Sequence, residues 1–428
     1  MSKVCVIGMW HLGCVTAACL SKWHKVVACD PDPAVIDALS AGKPPIFEPG
    51  LQQALSDSEK NGNLSYSKEL LKSAEWADYV YFAFDVPVDE EDRSDLSMLI
   101  DAFTSIIPAI DSKKTVIISS QVPVGTCRSL AARLESAGKT AAIAYVPENL
   151  RLGSAISDFM SPERLVIGAS GKDAEKAAQM LFEHVNCRKM SMSLESAEMA
   201  KHAMNSYLAL LISFSGEISD LCEGSGADAR QVMAALLSEP RVSPSAPLMP
   251  GLGFGGGTLA RDLQSLRAAG KEKGTPTPVL DAAYSANQHR KNYVKDRLRQ
   301  ALGSLSGKTI AFFGLTYKPN TDTLRRSLAL EMISGLLGEV GSIRAYDPAI
   351  KTLAGIQGIT LCHSAEECAK GADAIVISTA WSEFALLDYG KLCANMRTPV
   401  IIDSRNALPS SSIPGKVKYY GVGVSNGV

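Results

Sequence analysis

The residues with the clearest chemical potential lie in the loop GFGGGTLARD, which runs from Gly253 to Asp262. Glycine fills four of its first five positions, and a backbone without Cβ atoms can fold closely around a ligand. The loop continues with the hydroxyl of Thr258 and ends in an arginine and the carboxylate of Asp262. The segment therefore predicts a ligand-contacting loop with groups suited to acid–base or nucleophilic chemistry.

A second candidate site is the turn GMWHLG. Gly8 and Gly13 occupy the outer positions of a G-x-G-x-x-G fingerprint, whereas Trp10 stands where the backbone normally approaches a pyrophosphate most closely. Asp30 follows about 20 residues later, where a carboxylate can accept hydrogen bonds from an adenosine ribose. That carboxylate would repel a 2′-phosphate, so the turn predicts NAD rather than NADP. The alternative is a βαβ unit that binds nothing, with Asp30 as an ordinary strand-end residue.

The elements that must position these residues alternate between apolar strand-like runs and helical periodicity. The predicted strands of the N-terminal part are residues 4–8, 25–30, 79–84, 115–120, 141–146 and 164–169. Residues 11–22 and the stretch through Val35, Ile36 and Leu39 have helical spacing. Continuous apolar runs are typical of a parallel sheet that is covered on both faces.

The pattern changes at about residue 193, where long helical stretches begin and extend to about residue 300. A second α/β series follows, with a predicted helix over 327–341. Its predicted strands are residues 308–314, 342–348, 373–379 and 398–406. The sequence thus predicts an α/β fold, with two Rossmann-like doubly wound parallel-sheet domains joined by a central helical region.

Composition excludes several classes of protein. The 428 residues carry 43 basic and 45 acidic side chains, so the net charge of −2 creates no general attraction for nucleic acid or an anionic membrane. The ten cysteines show neither a CxxC pair nor metal-like spacing, which predicts reduced thiols and no metal site. Because no stretch of about 18 apolar residues occurs, we expect a cytoplasmic protein.

The motifs together resemble one family, the UDP-glucose/GDP-mannose 6-dehydrogenases. The segments that carry the resemblance are GKPPIFEPGL (42–51), SDLS (94–97), SSQVPVGT (119–126), VPENLRLGSAISDF (146–159), EMAKHAMNSYLALLISFSGEI (198–218), GLTYKPNTDTLRRS (314–327), AYDP (345–348), STAWSEF (378–384) and IIDSRN (401–406). They follow the family's order over almost the whole chain. The resemblance implies an NAD-binding domain at 1–192, a central helical domain with the active-site loop and dimer interface at 193–300, and a nucleotide-sugar-binding domain at 301–428.

The resemblance also implies a reaction. Enzymes of this family oxidise the C6 alcohol of a nucleotide sugar twice, reducing two NAD⁺, and hold the intermediate aldehyde on a cysteine. The family's loop G-F-G-G-S-C-F-P-K-D places Thr258 at that cysteine, and a threonine hydroxyl is a poor nucleophile without a strong base beside it. Gln121 stands where the family has a threonine that helps to place the hydrolytic water, and Leu152 replaces a glutamate.

The catalytic residues that the resemblance implies are Lys201, Asn205, Asp262 and Glu148, with Thr258 at the altered position. The lysine polarises or deprotonates the reacting oxygen in the family, with the aspartate nearby. Each residue also has an ordinary explanation. Lys201 would be a solvated surface residue, Asn205 a helix-surface amide and Glu148 a turn or cap residue. Asp262 would be an N-cap, and Thr258 a helix-start hydroxyl without a chemical role.

The predicted ligand contacts form two sets. The cofactor-binding set is Gly8, Trp10, Leu12, Gly13, Asp30, Val86, Pro87 and Gln121. The substrate-binding set is Lys201, Asn205, Arg241, Phe254, Gly255, Lys318 and Arg405. By resemblance, Lys318 contacts the nucleotide sugar, Arg405 lies near its phosphates, and Arg241 reaches the sugar from a partner subunit. The apolar face of 198–218 predicts a homodimer, although it could equally pack within its own chain.

Three functions follow as hypotheses. The first is an NAD-dependent dehydrogenase of a nucleotide sugar, with UDP-glucose as the default, which either stops after one oxidation or makes the acid without covalent capture. The second is an epimerase that uses tightly held NAD without net redox change, so product forms without NADH accumulation. The third is a catalytically inactive relative that binds a nucleotide sugar. The retention of Lys201, Asn205 and Asp262 favours the first.

Overall fold

The computed structural model describes residues 1–89, 91–255, 257–353 and 355–424. The chain divides into two compact units, one of Met1–Met204 with Gln264–Ala269 and one of Asn205–Leu263 with Gly270–Val428. The predicted α/β fold class is confirmed, because each unit is built around a mainly parallel sheet in Rossmann order. The three domain boundaries derived from the sequence stay a prediction.

The first unit carries one sheet flanked by helices. Its strands are β1 (Lys3–Ile7), β2 (Lys25–Cys29), β3 (Leu64–Ser67), β4 (Tyr79–Phe82), β5 (Thr115–Ile118), β6 (Ala142–Tyr145), β7 (Arg164–Ala169) and β8 (Arg188–Ser193). Its helices are α1 (His11–Leu20), α2 (Pro33–Ser40), α3 (Leu51–Lys60), α4 (Leu70–Trp76), α5 (Ser97–Ile106), α6 (Thr126–Ser136), α7 (Ala155–Met160), α8 (Lys172–Leu181) and the first part of α9 (Leu194–Ser225). The strand order is β3-β2-β1-β4-β5-β6-β7-β8.

The apolar runs of the central strands arise because both faces of the sheet are covered. In β1, Val4 and Val6 contribute to the core on one face, whereas Cys5 and Ile7 contribute to the core on the other. All four side chains are fully buried. The sheet is parallel except between β6 and β7, which pair antiparallel. The sequence pattern did not indicate this reversal, since an apolar run reports burial on both faces and not strand direction.

The second unit repeats the Rossmann arrangement after a helical segment. Its helices are the second part of α9, α10 (Ala229–Leu237), α11 (Thr258–Lys273, shared with the first unit), α12 (Pro278–Arg290), α13 (Tyr293–Leu302), α14 (Leu328–Ser334), α15 (Ala365–Ala369) and α16 (Tyr389–Ala394). Its strands are β9 (Thr309–Phe313), β10 (Ser342–Tyr346), β11 (Ile359–Leu361), β12 (Ala374–Ile377), β13 (Val400–Asp403) and β14 (Lys418–Gly421). The order is β11-β10-β9-β12-β13-β14, and every pair is parallel.

One predicted helical stretch is divided in two, and one predicted helix is shorter than expected. The helical stretch that follows α11 is two helices, α12 and α13, separated at Lys291 and Asn292. The predicted helix over 327–341 ends at Ser334, and the chain continues in turns. Within the described ranges, no helix is long and apolar enough to cross a membrane.

The seating of α1 on β1 depends on Gly13. A Cβ atom at this position would lie 1.7 Å from the carbonyl oxygen of Gly8 and 3.0 Å from the Met9 side chain. Helix and turn therefore meet at a distance that only glycine permits. Gly171, which precedes α8 in the same unit, meets no atom within 4 Å and has an extended backbone with φ of 173°.

We predict that Gly13→Ala lowers the free energy of unfolding of the first unit by about 2–3 kcal/mol, because the added methyl must push α1 off the turn. Gly171→Ala is the matched control and should cost no more than about 1 kcal/mol, because Gly171 is the N-cap of α8 and the added methyl meets no atom. Urea unfolding followed by circular dichroism measures both. Equal stability of the two variants would contradict the proposed close contact.

Candidate functional site

The turn after β1 has the geometry of a dinucleotide-binding turn, and the structure explains its altered fingerprint. Gly8 adopts a left-handed conformation with φ of +98°, and its N–H donates to the carbonyl oxygen of Cys29 at 3.0 Å. Trp10 lies at the N-cap of α1 with φ of −98°, which any residue can adopt. The backbone thus requires glycine at the outer positions only. The Trp10 side chain is 42% exposed beside the turn.

Asp30 follows β2 and is bound to the same turn. Its Oδ2 accepts the N–H of Met9 at 2.6 Å, and its Oδ1 accepts the N–H of Asp32 at 2.9 Å. Burial raises the pKa of the Asp30 carboxyl, while the two backbone N–H groups act in the opposite direction. Each oxygen keeps a further lone pair, so the carboxylate can still accept a ribose hydroxyl.

The remaining predicted cofactor residues lie at the same edge of the sheet. The neighbouring strands β2, β1, β4 and β5 run parallel, so the segments that follow them meet at one edge. Val86 and Gln121 are buried after β4 and β5, Pro87 is half-buried, and Leu12 is buried in the first turn of α1. A glycine turn, a helix N-terminus and a strand-end carboxylate at one edge fit NAD.

Lys201 lies on α9 and is buried, so its explanation as a solvated surface residue is wrong. Its Nζ donates to the carbonyl oxygen of Glu148 at 2.5 Å and to Oδ1 of Asn149 at 3.4 Å. The Glu148 carboxylate forms an ion pair with it at 3.7 Å. The other Glu148 oxygen accepts the N–H of Leu150 at 2.8 Å, so the turn role foreseen for Glu148 is also present.

A histidine that the sequence interpretation missed adjoins Lys201. A ring nitrogen of His202, Nε2, lies 2.7 Å from the carbonyl oxygen of Val122, which must accept the hydrogen bond. Val122 directly follows Gln121, so α9 holds the loop that carries a predicted cofactor residue. His202 is buried, with 1% of its surface exposed. Its position in sequence next to a site lysine was the only available signal.

Glu48 is a second missed residue, and it holds the Glu148 loop. Its side chain is fully buried and accepts three hydrogen bonds: from His11 at 2.9 Å, from the Gly153 N–H at 2.8 Å and from the Ala155 N–H at 2.9 Å. His11 is the first residue of α1. Glu48 therefore links the start of α1 to the chain segment that follows Glu148. Leu152 lies half-buried in that same chain segment.

In the second unit, Asn205 and Asp262 form a buried pair. The Asn205 amide donates to Oδ2 of Asp262 at 2.5 Å. Asp262 is fully buried and Asn205 is 5% exposed, so the explanation of Asn205 as a surface amide is wrong. The capping explanation of Asp262 is also wrong, because α11 begins at Thr258, four residues before Asp262, and its N-cap is Gly257.

Thr258 is the first residue of α11 and is exposed. The structure thus places it as the helix-start residue that its ordinary explanation requires. A role in chemistry stays a prediction. Gly256, two residues before it in the loop, lies outside the described residues.

The glycines of this loop are explained in part by packing within the second unit. A Cβ atom on Gly253 would lie 2.4 Å from Oδ1 of Asn287, and one on Gly255 would lie 2.8 Å from the Leu328 side chain. Asn287, on α12, also binds Phe254 on both sides: Oδ1 accepts its N–H at 2.9 Å, and Nδ2 donates to its carbonyl at 3.1 Å. Asn287 was missed because its partner lies 33 residues away.

The second unit brings Lys318 and Arg405 to one edge of its sheet. They follow β9 and β13, the two neighbours of β12, and all three strands are parallel. The Arg405 guanidinium donates through Nε to the carbonyl of Ser378, just after β12, at 2.9 Å. Burial lowers the pKa of Arg405, which indicates a desolvated cation. Arg241, in contrast, lies at the surface and pairs with Glu239 at 2.7 Å.

Comparison with known proteins assigns the chain to a protein family. Three successive segments match one family: its NAD binding domain over residues 2–186, its central domain over 195–289 and its UDP binding domain over 311–410. The chain belongs to the UDP-glucose/GDP-mannose dehydrogenase family. The turn with Asp30 lies in the first segment, and Lys318 and Arg405 lie in the third.

Individual relatives of this dehydrogenase family agree with that assignment. The chain is 33% identical to UDP-glucose 6-dehydrogenase TuaD of Bacillus subtilis over 95% of its own length and 89% of the relative. It is 33% identical to UDP-glucose 6-dehydrogenase of Rhizobium meliloti, over 94% and 95% of the two chains. The solved UDP-glucose dehydrogenase of Pyrobaculum islandicum superposes with a TM-score of 0.91 at 30% identity, covering 99% and 98%.

Membership in this dehydrogenase family confirms several predictions from the sequence. The protein is an oxidoreductase, its cofactor is NAD, and its substrate is a nucleotide sugar. The individual site residues stay predictions, as does the homodimer. The structure shows which of the residues are held together within each unit.

We predict that Asn287→Ala lowers the free energy of unfolding of the second unit by about 2 kcal/mol or more, because two buried backbone groups of Phe254 lose their partners. Asn287→Asp keeps the acceptor but places a buried carboxylate oxygen against the Phe254 carbonyl, so its loss should be at least as large. Denaturant unfolding measures the series. An alanine variant as stable as the wild type would show that the clamp on the glycine loop is dispensable.

Proposed function

We propose that this dehydrogenase oxidises a UDP-sugar, with UDP-glucose as the first candidate, and that it stops after one two-electron step. The curated relatives TuaD and its Rhizobium counterpart are UDP-glucose 6-dehydrogenases. The solved relatives include UDP-N-acetylmannosamine dehydrogenases, so the sugar itself is the less constrained part of the proposal. The observation that carries the single step is the exposed Thr258 at the start of α11.

The proposed step balances as a simple alcohol oxidation. The sugar alcohol loses its hydroxyl proton to a basic group and a hydride from carbon, so that an aldehyde, NADH and one proton form. When bound, NAD⁺ supplies the hydride acceptor. Lys201 suits the role of polarising the reacting oxygen, because its buried ammonium donates hydrogen bonds to oxygen atoms around it. Glu148 balances that charge through the ion pair.

Asn205 and Asp262 supply the second group of polar atoms. We assign both to the reacting end of the sugar, because a buried amide–carboxylate pair offers a donor and an acceptor in fixed positions. The nucleotide end is assigned to Lys318 and Arg405. A desolvated guanidinium at a sheet edge binds phosphate more strongly than one in water.

A second oxidation needs the aldehyde to gain water before it gives up another hydride. A thiolate that captures the aldehyde would prepare this step, and Thr258 offers a hydroxyl instead. Gln121 and Leu152 also provide no carboxylate to activate water. The aldehyde is therefore the proposed end product.

The test counts NADH per product. We expect the purified protein, incubated with NAD⁺ and a panel of UDP- and GDP-sugars, to form one NADH per aldehyde, measured by absorbance and mass spectrometry. Two NADH and a uronic acid would refute the single oxidation. Product without NADH would indicate epimerisation, and binding without turnover would indicate an inactive relative.

Thr258→Cys is the companion variant in that assay. It should bind the same UDP-sugar but fail to restore full acid production, because Gln121 and Leu152 also differ from the family. Full acid formation by Thr258→Cys would show that the cysteine alone limits the reaction.

We propose further that the partner is a second copy of this chain, docked on α9. Tyr207, Phe214 and Leu221 follow one another at seven-residue intervals and are 59%, 42% and 68% exposed. Two helical turns separate successive members, so the three side chains form one apolar stripe on α9. An exposed apolar stripe of this kind marks an interface. The family resemblance indicates that a second copy of this chain covers the stripe. Arg241 is proposed to contact the sugar of the partner subunit across that interface.

We predict that Leu221→Lys converts the dimer into a monomer, because the stripe cannot bury an ammonium. Sedimentation velocity over a range of concentrations measures the change. Leu386→Lys, at a position of the same unit that is 86% exposed, is the control and should leave the dimer intact. A wild-type protein that sediments as a monomer would end the proposal.

We infer a cytoplasmic location from the cysteines. All ten are free thiols, and eight of them are buried. Thiols persist in a reducing compartment. Fractionation of cells that express the tagged protein tests this, and recovery outside the cytoplasm would contradict it.

A further inference from the structure

An internal carboxylate lies against the first turn of α1. Asp85 follows β4, next to the predicted cofactor residue Val86, and its Oδ2 accepts the backbone N–H of Leu12 at 3.1 Å. Leu12 is the second residue of α1. The two residues are 73 positions apart in sequence, so the contact exists only because β1 and β4 are neighbours in the sheet.

This is the place where a dinucleotide normally puts its phosphates. In a Rossmann unit the pyrophosphate sits at the N-terminus of the first helix, where free N–H groups and the helix dipole attract an anion. Asp85 already supplies such an anion to Leu12. A carboxylate and a pyrophosphate that seek the same N–H groups repel each other, and the repulsion is strong where water is partly excluded.

A second carboxylate also binds a backbone N–H group of this turn. Asp30 binds the N–H of Met9 at 2.6 Å, so carboxylates from both neighbouring strand ends face this one turn. Cys14 lies two residues after Leu12 in α1: burial raises the pKa of its thiol, and the nearby charges of Asp85 and Asp30 raise it further. Asp30 has a ribose to bind, whereas Asp85 stands at the phosphate position.

We propose that Asp85 sets the cofactor affinity of this enzyme: its carboxylate competes with the NAD pyrophosphate for the first turn of α1 and must leave Leu12 when NAD binds. The inference rests on NAD being the cofactor of the proposed reaction. Asp85 thus weakens dinucleotide binding, whereas the glycines of the turn and Asp30 strengthen it.

The experiment measures NAD affinity by isothermal titration calorimetry on the full chain. Asp85→Asn removes the charge and keeps an oxygen that can accept the Leu12 N–H, and Asp85→Ser removes the charge with a shorter, neutral side chain. Asp78→Asn is the matched control, because Asp78 precedes β4 as Asp85 follows it and binds the Lys3 N–H at the opposite end of the sheet. Thermal unfolding confirms that each variant is folded.

We expect both Asp85 variants to bind NAD at least about tenfold more tightly than the wild type, about 1.4 kcal/mol. Asp78→Asn should bind as the wild type does. The gain should shrink at high ionic strength, because salt screens the repulsion in the wild type. It should appear with ADP-ribose, which carries the pyrophosphate, and vanish with adenosine, which carries no phosphate.

Two results would overturn the inference. Unchanged or weaker NAD binding in both folded Asp85 variants would show that the carboxylate only holds the helix end. A gain of the same size with adenosine would show that the pyrophosphate is not what Asp85 opposes. NADH formation from a UDP-sugar by the wild-type preparation keeps the proposed function standing in either case. If no variant binds NAD at all, both the inference and the proposed function fail.

Discussion

The approach of α1 to the turn after β1 is the constraint on which the cofactor half of this protein depends. Gly13 brings the helix so close to the Gly8 carbonyl that no side chain fits between them. The start of α1 is thereby fixed between the ends of β2 and β4. Asp30 reaches Met9 from one side, Asp85 reaches Leu12 from the other, and Glu48 reaches His11. A helix displaced by one methyl group would disturb all three contacts.

Buried polar contacts hold the remaining site residues. A buried charge or amide is costly unless it is paired, and each one here has partners within its own unit. Glu48 satisfies two N–H groups beyond Glu148, and Lys201 satisfies the Glu148 carbonyl. Asn287 binds the backbone of Phe254 in the same way. The loops that carry the predicted chemistry are thus fixed in part by Glu48 and Asn287, to which no chemical role is assigned.

The sequence predicted the buried strands of the two sheets and missed the more exposed ones. The central strands of both sheets were predicted because they are continuous apolar runs, as in β1, β4 and β9. The strands that were missed are the four at the sheet edges, β3, β8, β11 and β14. Edge strands such as LSYS and RKMSMS are covered on fewer sides, so they lack the apolar run that identifies a buried strand. These four strands were not predicted because their partly exposed positions carry polar residues.

The sequence alone determined the order of motifs, and with it the family, the NAD cofactor and the nucleotide-sugar substrate class. It also predicted that Thr258 occupies the position of the family's nucleophile. Only the tertiary structure decided what surrounds these residues. It buried Lys201 and Asp262, which by pattern alone read as a surface residue and a cap, and it gave the loop glycines Asn287 and Leu328 as neighbours. Asp85 meets Leu12 across 73 residues, because local periodicity encodes helices and strands while strand order sets which distant side chains meet.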